Sequence, residues 1–104
     1  MAQMIVIYKT PKNVAAFDRH YRDVHGPVAR QLPGLREFET NRGPIISLYG
    51  ASDARLVLSL HFDALSDINV AFISESGRAY VADRRQLAPN ANDVQMFLFD
   101  TQSL

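Results

Sequence analysis

Apolar residues along the chain fall into short runs of two different periods, and the alternation between them predicts a fold. Residues 4 to 8, MIVIY, form a continuous apolar, β-branched run closed by Lys9-Thr10-Pro11, the pattern of a strand buried on both faces. Val14, Phe17, Tyr21, Val24 and Val28 then recur at spacings of three and four, which predicts one stripe of a helix with Asn13 as its N-cap. Arg19, Arg22 and Asp23 fall on the solvent side, and His20 lies at the stripe's edge among them, facing solvent. Gly26-Pro27 is expected to end or kink this helix, because proline cannot donate the next ladder bond and pushes its neighbour out of the α region.

Beyond the Pro33-Gly34 turn, LREFETN predicts a second strand, which IISLYG can extend past Gly43-Pro44. RLVLSLHF, residues 55–62, alternates cleanly, with Leu56, Leu58, Leu60 and Phe62 on one face and Val57, Ser59 and His61 on the other. Ser66 is the expected cap of a second helix carrying Ile68, Ala71, Phe72 and Glu75, and SGRAYVADRRQLA continues as helix after a break near Gly77. DVQMFLF, residues 93–99, closes the chain as a strand apolar on both faces. The order β-α-β-β-α-β predicts an α+β, ferredoxin-like domain spanning 1–104, with an antiparallel four-stranded sheet and helices on one face. The first and last strands are apolar on the other face as well, and no element remains to cover it. A second copy of the sheet is the economical cover, so a homodimer is expected.

The bulk composition narrows the function. Eleven basic residues balance eleven acidic ones, so no net field attracts nucleic acid. The absence of cysteine excludes disulfides and thiolate chemistry. The apolar run near the N-terminus is too short for a signal peptide or a membrane span, which makes the cytoplasm the default location. No Gly-rich phosphate loop or nucleophile elbow is present. In an α-helix His20 and His25, five apart, would lie about 140° from each other, which argues against a shared metal. Neither a metal nor an organic cofactor is expected.

FDRHYRDVHGPVARQLPGLREFE carries an aromatic-rich helix (Phe17, Tyr21), then His25-Gly26-Pro27 and Leu32-Pro33-Gly34-Leu35. This pattern resembles the EthD family, small dimeric α+β-barrel proteins first associated with degradation of ethyl tert-butyl ether. Glu75-Ser76-Gly77 followed by Ala82-Asp83 is similar to a looser C-terminal family motif, lacking its proline. The resemblance implies a pocket between helices and sheet in each subunit. In the wider superfamily it implies methylmuconolactone isomerases, cyclases, cofactor-independent monooxygenases and haem-degrading enzymes. The haem-degrading pattern is not the His-x-Pro one seen here.

Two readings of His25 stand: a helix-end imidazole bonding the last carbonyls, or an acid/base group in the pocket. With the resemblance, His25 becomes the expected catalytic residue, with Tyr8, Tyr21 and His61 as candidates to bind substrate. His61 reaches the pocket only if the leucine row faces away from the helices. Asp83 reads most simply as a surface carboxylate, although the family pattern has an Asp there. The expected activity is isomerase- or cyclase-type proton transfer on a hydrophobic oxygenated small molecule. The alternative is a non-catalytic accessory or binding protein of an oxygenase-based pathway such as alkyl ether degradation.

Overall fold

A computed structural model describes residues 1–104. Strand β1 runs over Ala2–Lys9, helix α1 over Val14–His20, a π-helical segment over Tyr21–His25 and helix α2 over Gly26–Arg30. Strands β2 (Glu37–Thr40) and β3 (Ala54–Phe62) follow, then helices α3 (Leu65–Ile73) and α4 (Glu75–Leu87) and strand β4 (Val94–Asp100). The four strands form one sheet in the order β2-β3-β1-β4, with every neighbouring pair antiparallel. This is the expected α+β, ferredoxin-like arrangement.

Register decides which side chains meet the helices. Met4 pairs with Leu60, Val6 with Leu58 and Tyr8 with Leu56, and cross-strand partners share a face. All six are buried, against Phe17, Ala29, Leu32, Ile68, Ala71, Tyr80 and Leu87 from the helices. The leucine row therefore faces the helices, and Gln3, Ile5, Ile7, Val57, Ser59 and His61 lie on the open face. Phe97 and Phe99 of the edge strand join that face and stay 47% and 40% exposed.

Local details depart from the sequence expectations, each for a physical reason. Asn13 caps α1 as expected, its side chain accepting from the Ala16 N–H at 3.0 Å. Ser66 does not cap α3 but lies inside it; the N-cap position is Ala64, two residues earlier, and has no side-chain cap. The break between the last helices falls at Ser74, whose Oγ accepts the Gly77 N–H, so Glu75 and Gly77 both belong to α4. IISLYG is not a strand. Gly43 and Gly50 take positive φ around Pro44, the ladder stops at Thr40, and Ile46, Leu48 and Tyr49 project from an irregular loop.

Gly26-Pro27 does not end the helical run; the irregularity expected as the alternative takes the form of a π turn before the proline. The Gly26 N–H donates to the Tyr21 carbonyl, a five-residue π closure, and α2 continues from there. Pro27 sits at the start of α2, where its missing N–H matters least. The π turn inserts one residue into the helical phase. Val24, expected in the apolar stripe, is 42% exposed, and His25 takes the inward position with no exposed surface.

Candidate functional site

Three elements aim side chains into one buried cluster. The helix-facing row of β1 contributes Tyr8, the π segment contributes Tyr21 and His25, and α4 contributes Tyr80 with Asp83 one turn further on. The His25 ring lies 4.8 Å, centroid to centroid, from Tyr80, tilted 43° to it, and 6.3 Å from both Tyr8 and Tyr21. Phe17 and Phe72 pack edge-on against Tyr8 and Tyr80 from behind, which fixes their ring planes.

Asp83 ties the cluster together. Its Oδ2 lies 2.8 Å from His25 Nδ1 and its Oδ1 lies 2.8 Å from His20 Nε2. A carboxylate only accepts, so both ring nitrogens are donors, and His25 carries its proton on Nδ1. The bare nitrogen of His25, Nε2, is buried with no partner in the protein, as are the hydroxyls of Tyr8 and Tyr80. Exposure falls steeply along the chain of contacts, from 29% for the His20 side chain through 11% for Asp83 to none for His25.

From sequence alone His20 faces solvent and Asp83 lies on the surface. The structure corrects both placements, because the π turn carries positions five apart onto one face. Tyr80 was not singled out in the sequence. Its three-residue spacing from Asp83 on α4 was the available signal, since i and i+3 share a helix face. His25 is not at a helix end either. Helix α2 runs on to Arg30, so the terminal dipole that would raise its pKa is absent.

Burial sets the electrostatics. It lowers the His25 pKa from its ordinary value, opposed by the hydrogen bond and charge of Asp83 and reinforced more weakly by His20 and Arg84. Burial likewise pushes Tyr8 and Tyr80 well above the usual phenol range; Arg84 opposes in both cases. Tyr21 is raised by burial too, with Thr40 and Arg30 pulling the other way. The site thus presents a neutral imidazole nitrogen as acceptor and neutral phenols as donors.

Cavities of about 280 and 190 Å³ approach the cluster, the first beside His20 and the second beside Tyr8, and Phe17 and Leu87 line both. The largest hollow, about 480 Å³, lies between the long β2–β3 loop and Asp18, and none of the cluster residues lines it. His61 is not brought to the cluster. It sits on the open sheet face, 2.9 Å from Ser59 Oγ and 3.5 Å from Glu39, in a polar chain that Gln3 extends. Ligand atoms of Glu37, Glu39 and His61 come within 4.8 Å of one another there, a trio set by the cross-strand register.

No protein-family model matches the chain. A curated relative, an uncharacterized 11.0 kDa protein encoded in the thcB-thcC intergenic region of Rhodococcus erythropolis, is 30% identical over all of this chain and 98% of its own. The crystal structure of an EthD family protein from Bacillus halodurans superposes with a TM-score of 0.87 at 26% identity, covering 98% of this chain and 99% of that one. The chain belongs to the EthD family. A dimeric ferredoxin-like protein of unknown function from a Jannaschia species shares the EthD fold at a TM-score of 0.69 and 12% identity, over 97% of this chain and 100% of its own. Sheet pairing of the EthD chain is consistent with that dimeric neighbour. No helix is long and apolar enough to cross a membrane.

Proposed function

We propose that this EthD-family chain catalyses cofactor-independent proton transfer on a small, uncharged, oxygenated hydrophobic molecule. The observation that carries the reading is a buried imidazole, oriented by a carboxylate, whose Nε2 has no partner and whose ring neighbours Tyr8 and Tyr80 also carry buried, unpartnered hydroxyls. Leaving such atoms unpaired costs roughly 1–3 kcal/mol each, so their clustering calls for a ligand that pairs all of them. One acceptor beside two donors suits a carbonyl compound with an acidic C–H next to the carbonyl.

In this reaction His25 Nε2 takes the C–H proton, and its electron pair moves into the new C=C bond. The carbonyl π pair moves onto oxygen, and that oxyanion accepts hydrogen bonds from Tyr8 and Tyr80. Where the substrate carries a C=C bond conjugated with that enolate, the oxyanion pair re-forms the carbonyl, the double bond shifts, and the far carbon of the conjugated C=C takes the proton back from the imidazolium, which Asp83 stabilises; this completes an isomerisation. Tyr21 lines the approach. The chain acts as a homodimer whose open sheet faces cover each other.

A second reading is a binding or accessory protein of ether degradation, favoured by the family designation of the Bacillus halodurans relative. Deuterium exchange separates the two. Lactones and polyketide-like phenolics incubated with the protein in D₂O should exchange an activated C–H, monitored by NMR. His25→Gln should slow that exchange by about 10²–10⁴-fold. Tight binding with no exchange above the buffer rate would favour the accessory role.

A further inference from the structure

We propose that His20 is a positioning residue for His25, acting through Asp83 to hold the buried imidazole in the tautomer whose Nε2 is bare. The inference deepens the proton-transfer reading, since only that tautomer offers Nε2 as a base.

The geometry is specific. Each oxygen of Asp83 is taken by one imidazole, both at 2.8 Å, so the carboxylate plane is anchored at both ends. An α-helix would set His20 and His25 about 140° apart, out of reach of one carboxylate. The π turn between them removes that obstacle, at the expense of regular helix hydrogen bonding. Of the groups facing the His25 ring, Tyr8 from β1, Tyr21 from its own segment, and Tyr80, Asp83 and Arg84 from α4, only Asp83 forms a hydrogen bond with it. Nothing but the orientation of that carboxylate therefore selects which nitrogen of His25 holds the proton. With His20 gone, Oδ1 has no side-chain anchor and the carboxylate is free to turn toward solvent. Outer partners of an imidazole fix its tautomer in the same way in many metal and hydrolase sites.

The test uses the full chain with histidine ring nitrogens labelled with ¹⁵N, at a pH where His25 is neutral. In the unmodified protein His25 should show a protonated Nδ1 and a bare Nε2. His20→Gln, whose side-chain amide still donates toward Asp83, should keep that pattern. His20→Leu, which cannot donate, should lose it and show a mixture of tautomers. Should the leucine variant fail to fold, His20→Ser, too short to reach Asp83, serves instead. Retention of the unmodified pattern when the donor is removed, or its loss in both the donor-keeping and donor-lacking variants, overturns the proposal. The readout needs no ligand, so it stands or falls separately from the exchange experiment on substrates.

Discussion

Replacing Tyr80 by phenylalanine should make the free protein more stable. The ring is fully buried between His25 at 4.8 Å and Phe72 at 5.5 Å, and the substitution keeps those contacts while deleting one oxygen. That oxygen has no partner in the protein. A buried, unsatisfied hydroxyl costs roughly 1–3 kcal/mol, so Tyr80→Phe should gain about that much. For a domain of this size each kcal/mol moves Tm by about 4–8 °C. Tyr8→Phe should behave alike, because its hydroxyl is also buried and unpaired. Tyr49→Phe is the control and should change nothing, since Tyr49 is 99% exposed. Urea melts at equal protomer concentration measure the effect, with an unchanged m-value showing that the native state is intact. The same two variants should bind or turn over a carbonyl ligand less well, a stability gain traded against function. A loss of about 1 kcal/mol on Tyr80→Phe would refute the reasoning: the hydroxyl would then have a partner in solution and would not be held in reserve for a ligand.

His25 should make stability pH-dependent. Its folded pKa lies below the ordinary value, so between about pH 6.5 and that lower pKa the unfolded chain binds more protons. Its contribution is complete above about pH 6.5 and is lost as pH falls, with a slope of at most about 1.4 kcal/mol per unit, and urea melts of His25→Gln should lack that slope. Gly77→Ala should destabilise by about 3 kcal/mol in the same assay, at the upper end for overpacking, because its Cβ would sit 2.5 Å from Phe72 Cα and 2.6 Å from the Phe72 carbonyl oxygen, both rigid backbone. Light scattering should give twice the 11.7 kDa chain mass, and Ile5→Asp, paired across strands with Phe97 on the open face, should reduce it to one chain; a clean monomer before mutation would remove the case for sheet-to-sheet pairing.

What the sequence made legible was the local part of the fold. β1, β3 and β4 declare themselves because each is a continuous or cleanly alternating apolar run with a cross-strand partner along its length. The leucine row of β3 also settled its own face once β1 was paired with it. The errors lie where apolarity has no cross-strand partner to answer it. Ile46, Leu48 and Tyr49 look like strand residues, but β3 offers no pairing beyond the Thr40–Leu58 position and two glycines at positive φ turn the chain away. The cap of α3 was misplaced by two residues because Ser66 is a better capping residue than Ala64, yet tertiary packing, not the cap, sets where that helix begins.

The site was half legible, and one inserted residue explains the missing half. A strict 3.6-residue period carries the apolar stripe from Tyr21 to Val24 and leaves His20 and His25 on different sides. Gly26-Pro27 reads as an end or a kink, the ordinary meanings of proline in a helical pattern. A proline also breaks the ladder without ending the helix when the turn before it widens, and a glycine at 26 lets the Tyr21 carbonyl approach to 3.3 Å of where a Cβ would stand. The widened turn moves Val24 outward and His25 inward, and it brings His20 onto the same carboxylate. Once the phase slips, an Asp and a Tyr three apart on α4 face two imidazoles instead of water. Gly26, Pro27 and the widened turn before them thus place His25 inside, against Asp83, and a chain carrying Ala at both 26 and 27 should revert to regular α phase, with Val24 buried and His25 turned away from Asp83.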